Sequence, residues 1–181
     1  YNDLPLLWPD EKQWKTIDVF EKLNLANKAL AELKGHLAAI PNPQIFIQTL
    51  FLQEAKDSSE IENIFTTNDK LFKAFTAEKS ADRNTKEVLR YGKAITESFR
   101  ILKKENKFSI SLIETIYRII KEEGDGIRDK KVYVGNAFEI RYTPPFGKDV
   151  LHDKLSNWVK KANEDSDLDP LIKMAFLHYQ F

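Results

Sequence analysis

The chain has 181 residues, 42% hydrophobic and 31% charged, enough for one good core or two small lobes and of ordinary globular, not disordered, composition. Its 28 basic residues balance 28 acidic ones, so no net field draws it to nucleic acid or to an anionic membrane. With no cysteine it has no disulfide, thiolate metal site or cysteine nucleophile, and with no long apolar run no membrane-spanning helix is expected.

The chain opens on a proline-punctuated stretch, Leu4 to Pro9, expected to lie as an extended arm across the body of the protein. A helix is predicted from about Asp18 to Ala39, because Leu23, Ala26, Leu30, Leu33 and Leu37 recur every three or four residues as one apolar stripe. Pro41 and Pro43 break it. A second helix is predicted from near Gln44 to about Ile64, with Leu50, Glu54, Ser58, Ile61 and Phe65 roughly down one face. Thr66 to Asp69 is turn and cap chemistry, and a short helix follows around 70–75. Ser80 to Thr85 reads as a loop. Helices are then predicted at about 86–104 and 109–122, the latter capped by Ser109 or Ser111.

The pattern changes at Gly124. The segment Lys131 to Thr143 is rich in β-branched and aromatic residues around a turn-like Gly-Asn-Ala-Phe, and predicts a β-hairpin ended by Pro144 and Pro145. A helix follows at about 150–161, with Leu151, Leu155, Trp158 and Val159 apolar, and then an acidic loop. Asp169 as N-cap and Pro170 at the first helical position start a last helix that no Gly, Asn or Pro stops. The chain starts at Tyr1 and not Met, carries no basic-then-apolar leader, and is expected to continue past Phe181 in the natural protein. The fold class is therefore mainly α with one hairpin, and one compact unit is the simplest organisation.

No complete active site is visible. His36, His152 and His178 are far apart, and none has the i,i+4 partner of a helical zinc site, so no metal site is expected. Gly124-Asp125-Gly126 lacks the lysine of a phosphate-binding loop, and no Gly-x-Ser-x-Gly occurs. The aromatic residues follow helical stripes and are not interleaved with basic residues, so no nucleic-acid platform is expected. One feature stands apart: Ser58 and Glu62 are four residues apart, so a helix would place them on one face and let the hydroxyl orient the carboxylate. Held in that way at the edge of a cleft, Glu62 would be placed to pair with an arginine; the alternative is an ordinary surface carboxylate.

Ser58-Ser59-Glu60-Ile61-Glu62-Asn63 matches the pattern [S/T]-x-x-x-E-[G/N]. Together with Ala29 to Pro43, the segment Leu50 to Asp69, the hairpin segment and Asp169 to Phe181, it resembles the N-terminal part of Fic-family proteins of the class whose inhibitory helix precedes the Fic core. The resemblance covers nearly the whole chain. It implies a compact helical Fic-like fold with one β-hairpin flap. Residues 1–75 would be the Fic N-terminal region with an inhibitory helix at about 57–65, and 76–181 the N-terminal part of the core with the flap at about 131–143. The family's catalytic loop, His-x-Phe-x-[Asp/Glu]-Gly-Asn-Gly-[Lys/Arg], is absent; His178-Tyr179-Gln180-Phe181 lacks its Gly-Asn-Gly-Arg and is not that loop.

The activity implied is transfer of AMP from ATP, with Mg²⁺, to a Ser, Thr or Tyr hydroxyl of a target protein, in the cytoplasm. Glu62, with Ser58 and Asn63, would be inhibitory, the carboxylate competing with the ATP γ-phosphate for an arginine. Gln180, about a turn before the expected loop, would touch nucleotide, a helix-surface role being the alternative. Val132, Tyr133, Val134, Ile140 and Tyr142 of the flap would dock the target backbone. The apolar N-terminal arm leaves a homodimer open. Without the loop the 181 residues alone are expected to be inactive, and the competing reading is a non-catalytic helical regulatory or protein-binding module.

Overall fold

Short polar side chains set the helix starts. In the computed structural model, which describes residues 5–77, 81–122, 124, 126–136 and 138–181, four Asp or Asn side chains accept from a backbone amide in a first turn. They are Asp10 from Lys12 at 3.0 Å, Asn42 from Gln44 at 3.2 Å, Asp82 from Thr85 at 2.8 Å and Asp169 from Leu171 at 2.8 Å. The described residues form α1 (Glu11–Trp14), α2 (Ile17–Ala38), α3 (Pro43–Ile61), α4 (Asn68–Ala77), α5 (Arg83–Glu105), α6 (Ile110–Lys121), β1 (Val134–Gly135), β2 (Ile140–Tyr142), α7 (Lys148–Asn163) and α8 (Pro170–Gln180). The chain is thus mainly helical with a small antiparallel hairpin, as its sequence predicts.

Several boundaries differ from the expectation. The short α1 lies between the expected arm and α2, in a stretch for which the sequence predicts no element. Helix α3 ends at Ile61 and not near Ile64. Helix α5 begins at Arg83, inside the expected loop, because Asp82 is its N-cap. In the hairpin Val134 pairs with Tyr142 and Gly135 with Ile140, with an irregularity between them, so Val132 and Tyr133 precede the paired residues. Leu4 of the expected arm, Ser80 of the expected loop and Ala137 of the turn lie outside the described residues.

The contacts divide the chain into two compact units, 1–35 with 108–110 and 125–181, and 36–107 with 111–124. In the first unit Trp158 of α7 is the hub. Its indole N–H donates to the Leu177 carbonyl at 2.9 Å, and its ring meets Phe108 nearly perpendicularly at 5.6 Å and Phe181 at 5.5 Å. Asn163 at the end of α7 clamps Phe108 from both sides, accepting from its amide at 2.7 Å and donating to its carbonyl at 2.9 Å. The arm lies as expected: Leu7 is buried, and Trp8 and Trp14 both pack on Phe176 of α8.

In the second unit α3 and α5 pack around Leu52, Ala55, Leu71 and Val88, with Ile64, Leu89, Tyr91 and Ile95 against them. Gly92 of α5 faces this contact: a Cβ there would lie 3.5 Å from Leu52 and 3.8 Å from Ala55, ordinary contact, so the packing would admit alanine. Arg90 ties α5 to the end of α6, donating to the Ile120 carbonyl at 3.2 Å and to Glu122 at 2.8 Å. The stripe expected on α2 does not form a buried face: Leu23 and Leu37 are half-buried, and Ala26, Leu30 and Leu33 are exposed.

Two stability outcomes follow from this unit. Gly92→Ala fits the existing gap and removes the conformational freedom of glycine from mid-helix, so it is expected to raise stability by about 0.5–1 kcal/mol in urea unfolding, while Gly92→Leu overpacks the site and lowers it. The second concerns Asp82, whose carboxyl is held well below the ordinary carboxylate range, first by the Lys70 ammonium at 2.8 Å and then by Thr85. A carboxylate with a depressed folded pKa stabilises the fold above its unfolded value and loses that contribution as pH falls toward the folded value. Asp82→Asn is therefore expected to be less stable than the parent at pH 7, with the gap narrowing as pH drops below 3.8, measured by urea unfolding at both ends.

Candidate functional site

The buried residues of α3 are Leu52, Ala55 and Ser59, a spacing of three and four that turns one face to the core of the second unit. That face carries the helix to its end, where the Ser58 to Asn63 segment lies. Asn63 adopts the left-handed region, with φ of 61°. Its N–H donates to the Glu60 carbonyl at 3.0 Å, and the Ile64 N–H donates back to the Ser59 carbonyl at 3.0 Å. The paired bonds and the left-handed residue make a Schellman cap, which satisfies carbonyls the helix end would otherwise leave open. Glu62 is the C-cap, with its own N–H on the Ser59 carbonyl at 3.0 Å.

The chain after the cap is fastened again. Ile64 packs on the core cluster. Asn84 donates to the Phe65 carbonyl at 3.2 Å. The Thr66 and Thr85 hydroxyls, both buried, lie 2.7 Å apart as one hydrogen bond. Residues 62–66 thus form a corner held by α3 on one side and by the start of α5 on the other. Glu62 is exposed at its apex, and among the described residues its carboxylate has no hydrogen bond or ion pair.

One expected contact is corrected. The Ser58 hydroxyl donates to Glu54 Oε1 at 2.7 Å and not to Glu62. Both carboxylates are four residues from Ser58, but only Glu54 is inside the helix; α3 has ended by Glu62, and the i,i+4 geometry with it. Thr66, Thr85 and Asn84 were not singled out by sequence reasoning. The short polar run Thr66 to Asp69 signals a turn, and nothing in it distinguishes a buried hydroxyl from a solvated one.

The flap residues and Gln180 belong to the first unit. Val132, Tyr133, Val134, Ile140 and Tyr142 are all exposed, and the turn between the strands is tied by Asn136, whose side chain accepts from Phe138 and Glu139, each at 2.9 Å. Gly135 is required there, since a Cβ would lie 2.2 Å from the Glu139 carbonyl oxygen. Tyr142 and Gln180 meet at one cleft of about 440 Å³, with Arg128, Lys154 and Trp158 in its walls. The Gln180 amide donates to the Pro5 carbonyl, so it is already engaged within its unit.

Among the described residues no three His, Asp or Glu side chains are grouped to hold a metal ion. No helix among them is long and apolar enough to cross a membrane. Residues 20–100 match the family model described as Fic/DOC family N-terminal, a span that takes in most of α2, all of α3 and α4, and the part of α5 that fastens the corner. Over that span the chain is similar to the N-terminal region of Fic/DOC family proteins.

Proposed function

We propose that the protein transfers AMP from ATP to a hydroxyl side chain of a target protein, and that Glu62 restrains this transfer by competing with the ATP γ-phosphate for an arginine. The observation that carries the reading is an exposed Glu62 carboxylate, without a partner among the described residues, at a fastened corner inside the segment that matches the Fic/DOC N-terminal family model. In the transfer the target hydroxyl oxygen bonds the α-phosphorus of ATP, the bond to the β-phosphate oxygen breaks, and pyrophosphate leaves. The hydroxyl proton passes to a base. Base and phosphate cradle belong to the family's Gly-Asn-Gly loop, which the 181 residues do not contain, so this chain alone is expected to be inactive.

The parts in this chain would bind and restrain. The two-stranded hairpin leaves outer edges to which a target segment could add as a strand, with Val134, Ile140 and Tyr142 setting its register. Tyr142 and Gln180 line the cleft beside that edge. An arginine held by Glu62 is withdrawn from the γ-phosphate, and a charge-assisted pair of this kind is strong enough to decide nucleotide pose. The competing reading, a non-catalytic protein-binding module, draws on the exposed Leu25, Leu30 and Leu33 of α2.

Two measurements on the natural protein that contains this chain test the reading. Self-labelling with labelled ATP is expected to rise about ten- to a hundredfold in Glu62→Gly and in Glu62→Gln. Equal labelling of parent and variants overturns the restraint, and no labelling of any form favours the binding module. The helix C-terminus is the negative end of the macrodipole and α3 has no basic residue in its last turn, so Glu62→Gln is also expected to gain about 0.3–1 kcal/mol of stability in thermal unfolding.

A further inference from the structure

A restraint by one exposed carboxylate works only if its backbone is held in place, and among the described residues no side chain holds the Glu62 carboxylate itself. The corner does that work from both sides. Before Glu62, Leu52, Ala55 and Ser59 bury α3. After it, the chain reverses through a single left-handed residue, Asn63, and is then pinned at Ile64 and at the buried Thr66–Thr85 hydroxyl pair. Asn63 is exposed, so its side chain is not needed for packing. What position 63 needs is a residue that accepts positive φ, and Gly and Asn are the two that do so most readily. These are also the two residues that the pattern [S/T]-x-x-x-E-[G/N] allows there.

We propose that Asn63 and Thr66 are positioning residues for Glu62. The left-handed turn at Asn63 sets the direction in which the Glu62 Cα–Cβ bond leaves the helix end, and the Thr66–Thr85 bond keeps residues 64–66 from fraying away with it. This rests on the reading of Glu62 as the restraint. A β-branched residue at 63 disfavours the left-handed turn about five- to thirtyfold. The Schellman bonds on the Ser59 and Glu60 carbonyls then compete poorly with water, and Glu62 samples many directions in place of one.

Self-labelling with labelled ATP is compared in the natural protein for the parent, Glu62→Gln, Asn63→Val, Asn63→Gly, Thr66→Val, Thr66→Ser and the double variant Asn63→Val with Glu62→Gln. Asn63→Val and Thr66→Val are expected to label about fivefold or more above the parent, while the conservative Asn63→Gly and Thr66→Ser stay near it. The double variant is expected to label no more than Glu62→Gln alone, because Asn63 acts only through Glu62. Amide hydrogen exchange at Ile64 is expected to speed up in Asn63→Val and not in Asn63→Gly, a readout independent of activity. If Glu62→Gln labels strongly but Asn63→Val does not, although its Ile64 amide is loosened, the positioning role is overturned and the restraint reading stands. If Glu62→Gln labels no more than the parent, both fall.

Discussion

The second unit depends on the packing of α3 against α5 around Leu52, Ala55 and Val88. Gly92 of α5 faces Leu52 and Ala55 across a gap that would admit a methyl group but little more, so the position must be small without having to be glycine. Leu71 and Val88 close the core around that contact. Two consequences reach the candidate site. The buried face of α3 fixes where that helix ends, and the start of α5 delivers Asn84 and Thr85 to the chain that leaves it. Glu62 lies between the two, so its place in space is set by packing that it does not share.

Helix existence was legible in the sequence and helix ends were less so. The three- and four-residue spacing in α2 predicts that helix to within a few residues although none of its residues is buried, and on α3 the buried face runs through Leu52, Ala55 and Ser59 while Leu50, Ile61 and Phe65 of the expected face are exposed. The ends depend on which short polar residue caps and which merely sits in a loop. Asp82 looked like one polar residue among several, and only its hydrogen bond to the Thr85 amide shows that α5 starts at Arg83. Asn63 has the same ambiguity at the other end. It reads as a poor helix former, yet its effect is to stop α3 at Ile61 and move Glu62 out of register with Ser58. One such error reassigns the Ser58 hydroxyl from Glu62 to Glu54.

Periodicity also shows that a face is apolar without showing what covers it. The leucines of α2 have the spacing of a core stripe, but Leu30 and Leu33 are exposed. The hairpin illustrates the converse. Alternating β-branched and aromatic residues predict strands across Lys131 to Thr143, whereas pairing is confined to the few residues flanking the turn. Gly135 lies against the Glu139 carbonyl, and the register is irregular just before it. A two-stranded ribbon with no third strand has little to keep Val132 and Tyr133 paired.

A carboxylate at the C-cap of an α-helix is poorly placed for stability. The unpaired carbonyls make that end negative, and no cation lies in the last turn of α3 to offset it. Two turns of the same helix show the usual remedy: Glu60 is paired with Lys56 at 2.6 Å and Glu54 accepts from Ser58 at 2.7 Å. Among the described residues Glu62 has neither kind of partner, although the chain on both sides of it is fastened. A solvated carboxylate on this helix end adds like-sign repulsion and no contact that stabilises the fold. It becomes economical when the partner of the side chain is supplied from elsewhere, as the arginine competition proposed for Glu62 requires.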